Sequence, residues 1–190
     1  ARSRTRDLDN VVVVCDKFDD FEINCQFDMI TLIGVLEYAN LFSLSSDPQV
    51  AMLKKVRALL KPHGKLILAI ENQFGLKYFA GYPEDHLAQP MYGIESRYRC
   101  DQPQTFGRNV LAKLLNEAEF ESSYFMAPFP DYKFPISVVT EDGFGCDEFD
   151  SSTFAVQSAT RDPQLPPILV FSPDRVWPAL VQNGLAMDMA

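Results

Sequence analysis

FDMITLIGVLEYANLF at residues 27–42, followed by MLKKVRALLKPHGKLILAIENQFGLKYFAG at residues 52–81, decides how this chain is read. The run 27–35 is apolar almost throughout and ends near Gly34, as a buried strand of a parallel sheet does. Ser45-Ser46-Asp47-Pro48 then supplies a capping residue followed by Pro at the first helical position. Val50, Leu53, Val56 and Leu60 form a helical stripe, with Lys54, Lys55 and Arg57 on the wet side. Lys61-Pro62-His63-Gly64 stops that helix, and KLILAIE at 65–71 predicts a further strand. Strand, helix, strand with near-continuous apolar strands means an α/β fold with a mostly parallel sheet.

Upstream, the β-branched run 11–15 between Asn10 and the acidic stretch Asp16, Asp19, Asp20 and Glu22 predicts another buried strand. Downstream, residues 72–104 are rich in aromatics, Gly and Pro and lack sustained periodicity. Thr105 is the expected cap of a second helix, with Phe106, Val110, Leu111, Leu114, Leu115 and Ala118 on its apolar face. Strands are expected at 121–127 and 136–140, separated by the Pro-bounded turn Pro128-Phe129-Pro130-Asp131-Tyr132. The acidic stretch 141–150 reads as loop, 151–175 carries four prolines that discourage long elements, and 177–185 suits a closing helix ended by Gly184.

The 190 residues are 47% hydrophobic and 23% charged, as in ordinary globular chains, and one domain with an appendage is expected. A net charge of −9 argues against a nucleic-acid binder, whose phosphate contacts need a basic surface. No apolar run approaches the roughly 18 residues of a membrane span. Cys15, Cys25, Cys100 and Cys146 match no zinc spacing, and only His63 and His86 are available to complete one, so no metal site is expected. Cys15 and Cys25 beside apolar segments read as small hydrophobes, and reduced thiols point to a cytoplasmic protein.

The frame "FD-apolar-apolar…VLEY", a helix ending in LLKPHG, and then KLILAIEN resembles the fourth strand, following helix and fifth strand of class I S-adenosylmethionine-dependent methyltransferases. NVVVVCDKF at 10–18 is similar to that family's third strand, and TFGRNVLAKLLNEAEF at 105–120 to its next helix. ENQFGLKYFAG, YPEDH and PFPDYKFP resemble a branch found beside bacterial glycosyltransferase domains. The resemblance spans roughly residues 5–140, and it implies a partial methyltransferase core over 1–140 with a substrate-side insertion at about 72–104, followed by 141–190 as a C-terminal extension or insertion. It implies a Rossmann-like, three-layer α/β/α domain that lacks its first two strands, with their Gly-rich turn and ribose-binding acidic residue. Without those strands, the run 11–15 has no neighbour in its proper place. Such a chain is expected either to be unstable or to re-pair strand three with strand four.

The implied function is methyl transfer from S-adenosylmethionine to a small-molecule or sugar-containing acceptor, with a fused or partner glycosyltransferase and doubtful activity for these residues alone. By resemblance Asp16, Lys17 and Phe18 flank the adenine, and Ile33, Gly34 and Val35 complete the cofactor side, against the alternatives of a solvated turn and a simple strand end. Glu37 and Tyr38 line the cleft or face solvent. Glu71 and Asn72, at the end of a strand, orient an acceptor or cap a turn. In Tyr82-Pro83-Glu84-Asp85-His86, an acidic pair flanks the best candidate for a general base, His86, whose alternative is a structural histidine. The branch feature Asp131-Tyr132-Lys133 has no assignable reaction role. A competing reading is a non-catalytic α/β interaction module attached to a glycosyltransferase. A nicotinamide-dependent Rossmann enzyme is weaker, because the VLEY…LLKPHG frame favours methyl transfer.

Overall fold

The computed structural model describes residues 1–153 and 170–190. Strand β1 (Phe27–Ile33) pairs in parallel with β2 (Leu60–Ala69), in a register running from Met29 opposite Lys65 to Ile33 opposite Ala69. The helix Pro48–Leu59 connects them, starting at Asp47 with Pro at its first turn as the sequence predicts. Lys61-Pro62-His63-Gly64 does not separate helix from strand. It is an irregularity inside β2, between Leu60, which pairs with Phe27, and Lys65.

One face of this pair is covered. Leu32 is buried on Met52 and Leu53 of the connecting helix and on Phe106, Leu111, Leu115 and Ala118, with Leu66 and Leu68 of β2 and the following Ile70 packed alongside. The helix Arg108–Glu117 supplies Leu111 and Leu115, four residues apart on one side. Its first residue follows Gly107, and Thr105 does not cap it. Val110 faces outward, against expectation. On the opposite face of the pair, Met29, Ile33 and Ile67 are exposed. Among the described residues a full three-layer sandwich is not built: the fold is mixed α/β with two small sheets.

The second sheet pairs β3 (Met126–Phe129) with β4 (Ser137–Thr140) antiparallel. Both are shorter than expected, and Pro128 and Phe129 belong to β3 rather than to the turn. Trp177 and Leu180 of the helix Pro173–Gln182 pack on Phe129, Ala127 and Val139 in a second core, which also includes Leu76. That helix starts four residues before the expected position, and Gly184 follows it at φ +69°. The stretch 141–150, expected as loop, opens with a short helix, Glu141–Phe144, capped by the Thr140 hydroxyl.

The largest correction concerns residues 11–15. They form no strand and do not re-pair with β1. Val11, Val12 and Val14 are exposed. A β-branched run has the propensity for a strand, but a strand needs a ladder, and among the described residues no segment pairs with it. All four cysteines are free and exposed, so Cys15 and Cys25 are not core residues. The prolines at 163, 166 and 167 lie outside the described residues. Among the described residues no helix is long and apolar enough to cross a membrane.

Candidate functional site

The carboxyl ends of β1 and β2 lie side by side, and the chain leaves both in tight turns. Gly34 follows β1 at φ +61°, a conformation that glycine adopts without a Cβ penalty. The turn delivers Leu36–Tyr38, one turn of 3₁₀ helix, and buries Glu37, which is 1% exposed. Two residues past β2, Glu71 is 6% exposed. A parallel bridge from Asn72 to Phe106 and a hydrogen bond from the Gln104 N–H to the Glu37 carbonyl tie these ends to the segment before the helix Arg108–Glu117. Ligands in parallel α/β sheets bind beyond this end of the strands.

The irregular segment 72–104 folds back over the strand ends and brings His86 to the two carboxylates. His86 Nε2 lies 3.8 Å from Glu37 Oε1 and 4.0 Å from Glu71 Oε2. Its Nδ1 lies 3.1 Å from Glu84 Oε1. The other oxygen of Glu84 accepts the backbone N–H groups of His86 and Leu87 at 2.9 and 2.7 Å. Glu84 therefore fixes both the loop and the ring it carries. Tyr98 donates to Glu84 at 3.3 Å and shares a 2.6 Å hydrogen bond with the buried Thr105 hydroxyl, which is the task Thr105 performs in place of a cap. The Tyr38 ring meets the imidazole edge-on, with centroids 5.3 Å apart.

A third segment closes the site from the β3–β4 loop. Lys133 Nζ donates to Glu71 Oε1 at 2.6 Å, and the Tyr132 hydroxyl donates to the same oxygen at 3.2 Å. Glu71 Oε2 and Glu37 Oε2 are buried without a hydrogen-bond partner. Beside Glu71, a cavity of about 430 Å³ runs between Phe106, Leu111, Phe129, Tyr132 and Trp177.

Glu37, then Glu84, hold the His86 imidazole well above its ordinary value, at about 10, against the opposing effect of burial. Burial pushes the Glu84 carboxyl up, but the His86 ring and the two backbone N–H groups outweigh it and leave Glu84 below the usual carboxylate range. Burial, and then the Glu71 charge, push the Tyr132 phenol up. Burial lowers the Lys133 ammonium, but its contact with Glu71 more than compensates and raises it.

Of the residues singled out in the sequence, Gly34, Glu37, Tyr38, Glu71, Glu84 and His86 meet at one point. Asp85 does not: it turns away to Lys77 and the Tyr78 hydroxyl. The Asn72 side chain is engaged elsewhere, donating to the Asp188 and Ala190 carbonyls. Ile33 and Val35 are exposed at the end of β1. Asp16 and Lys17 are exposed, and Asp16 accepts from the Lys17 backbone N–H. Phe18 is half-buried against the first core, with Lys55 over its ring. Tyr132 and Lys133, to which the sequence assigns no role, hold Glu71. Two flanking prolines were the available sign that this loop is held in place. Comparison with protein-family models, curated proteins and solved structures finds no match to this chain.

Proposed function

We propose that this chain carries the acceptor side of an S-adenosylmethionine-dependent methyltransferase acting on a small-molecule or sugar-containing acceptor. The supporting observation is the convergence of Glu37, Glu71 and His86 beyond the carboxyl ends of a parallel strand pair, beside a cavity. The cofactor supplies a methyl group activated on a sulfonium. The described residues fit one flank of it: Gly34 turns sharply at the end of β1, with Ile33 and Val35 exposed next to it. They include no Gly-rich turn after a strand. On the acceptor side, Glu71 Oε2 and Glu37 Oε2 are free to accept a hydrogen bond from an acceptor hydroxyl. His86 holds a proton at neutral pH and acts as donor and positioning group.

The exposed apolar face carrying Met29, Ile33 and Ile67 favours one alternative, a non-catalytic module that docks on a glycosyltransferase. Calorimetric titration of the full-length gene product with S-adenosylhomocysteine separates the two. Saturable heat at one ligand per chain supports methyl transfer, and no heat at millimolar ligand defeats it.

A further inference from the structure

The Glu37–Glu71–His86 cluster has donors and spacing that a proton on His86 alone does not explain. Three carboxylates, those of Glu37, Glu71 and Glu84, surround the imidazole, and among the described residues the only lysine in contact with them is Lys133. Nε2 stands 3.8 and 4.0 Å from its two carboxylate neighbours, too far for a hydrogen bond to either. One donor atom from each of the three residues lies within 4.8 Å of the others. A triangle of such sides has its centre roughly 2.1–2.5 Å from each corner, the length of metal–nitrogen and metal–oxygen bonds.

Burial points the same way. The Glu37 and Glu71 side chains are 2% and 4% exposed, and each leaves one oxygen without a partner. An ionised carboxylate oxygen buried without a partner is costly, and such groups normally find one. Glu71 Oε2, one of these two atoms, is the oxygen that faces Nε2. Lys133 and Tyr132 occupy the other oxygen of Glu71 and leave this one clear. On the far side of the ring, Nδ1 donates to Glu84, the arrangement by which metal-binding histidines are oriented through a carboxylate.

We propose that Glu37, Glu71 and His86 Nε2 bind one divalent transition-metal ion of the Mn²⁺ or Zn²⁺ class, with Glu84 as the positioning residue behind the imidazole. Mixed imidazole and carboxylate donors suit these ions rather than Ca²⁺ or a thiolate-seeking metal. Three carboxylates against one ammonium leave two negative charges when His86 is neutral, and a divalent ion balances them. Three protein ligands leave further coordination positions for water or an acceptor oxygen, and of the three only Glu71 also borders the cavity. The sequence spacing hides this site, because its ligands come from positions 37, 71 and 86 in three separate segments.

The site uses the same side chains as the methyl-transfer reading but does not depend on it, and it is tested without any cofactor. The chelator-stripped full chain is titrated with Mn²⁺ alone at pH 8, and bound ion is counted by electron paramagnetic resonance. One saturable ion per chain is expected, with the hyperfine signature of a directly bound imidazole nitrogen in the pulsed spectrum. Glu84→Gln is expected to weaken binding roughly 10–100-fold, and the surface control Asp28→Asn to leave it unchanged. No saturable ion at millimolar Mn²⁺, or an ion bound with no nitrogen coupling, overturns the proposal. Both readings come from the unmodified protein, so a variant that fails to fold does not obscure the result. Absence of S-adenosylhomocysteine binding would leave this site standing, and absence of Mn²⁺ binding would leave methyl transfer standing.

Discussion

His86 Nε2 lies 4.0 Å from Glu71 Oε2, a buried carboxylate oxygen with no hydrogen-bond partner. The two residues come from different structures: Glu71 from the end of a strand, His86 from an irregular segment that folds over it. Glu84 on one side, and Lys133 with Tyr132 on the other, hold this pair in place.

With metal removed by chelator, His86 is expected to stay protonated through neutral pH and to titrate at about 10, because Glu37 and Glu84 favour the charged ring. In the unfolded chain the ring titrates near 6.5. The folded value is the higher one, so the stabilisation is fully present below about 6.5 and is lost as pH rises toward 10. NMR titration of the imidazole protons checks the midpoint, and a value near 6.5 in the folded protein contradicts this account.

Gly34→Ala is expected to cost about 1–2 kcal/mol, because a side chain at φ +61° pays the left-handed penalty. The added Cβ also lies 3.1 Å from the Tyr132 hydroxyl, which must shift away from Glu71. Urea denaturation measures the first effect, and the position of the Tyr132 ring resonances the second. A neutral variant means that the turn after β1 is not constrained as described.

Lys133→Met removes the cation from a carboxylate that stays buried. Lys133 is half exposed, so solvent screening limits the loss to about 1 kcal/mol. The methionine keeps most of the stem packing, so the loss reports the charge. Equal stability of variant and parent in chemical denaturation would show that the ion pair contributes nothing.

The alternation of β1 makes a paired prediction. Leu53→Ala, in the core under Leu32, is expected to cost about 2–5 kcal/mol. Ile33→Lys, adjacent to Leu32 in sequence but on the open face, is expected to fall within about 0.5 kcal/mol. Thermal melts of both variants decide it, and a large loss for Ile33→Lys means that this face is covered in solution.

Much of the local architecture was legible. The helix that starts at Pro48, the strands on either side of it and the closing helix near Trp177 follow from periodicity and from Pro and Gly placement. Residues 11–15 show the limit of such reading. Four valines and a cysteine have strand propensity, but a strand exists only where another chain segment supplies a ladder. Thr105 shows a second limit: its hydroxyl is as good for a buried tyrosine as for a helix cap, and the partner decides.

For the site, the sequence by itself determined that Gly34, Glu37 and Glu71 lie near the ends of two strands, because strand ends are local features. Which of them meet was decided only by the tertiary structure. Glu84 and Asp85 are adjacent and chemically alike, yet one holds His86 and the other turns to Lys77 and Tyr78. Local chain direction in an irregular segment carries no period to read. The fold-back of residues 72–104 and the closure by Tyr132 and Lys133 depend on packing between segments more than 60 residues apart in the case of Glu71.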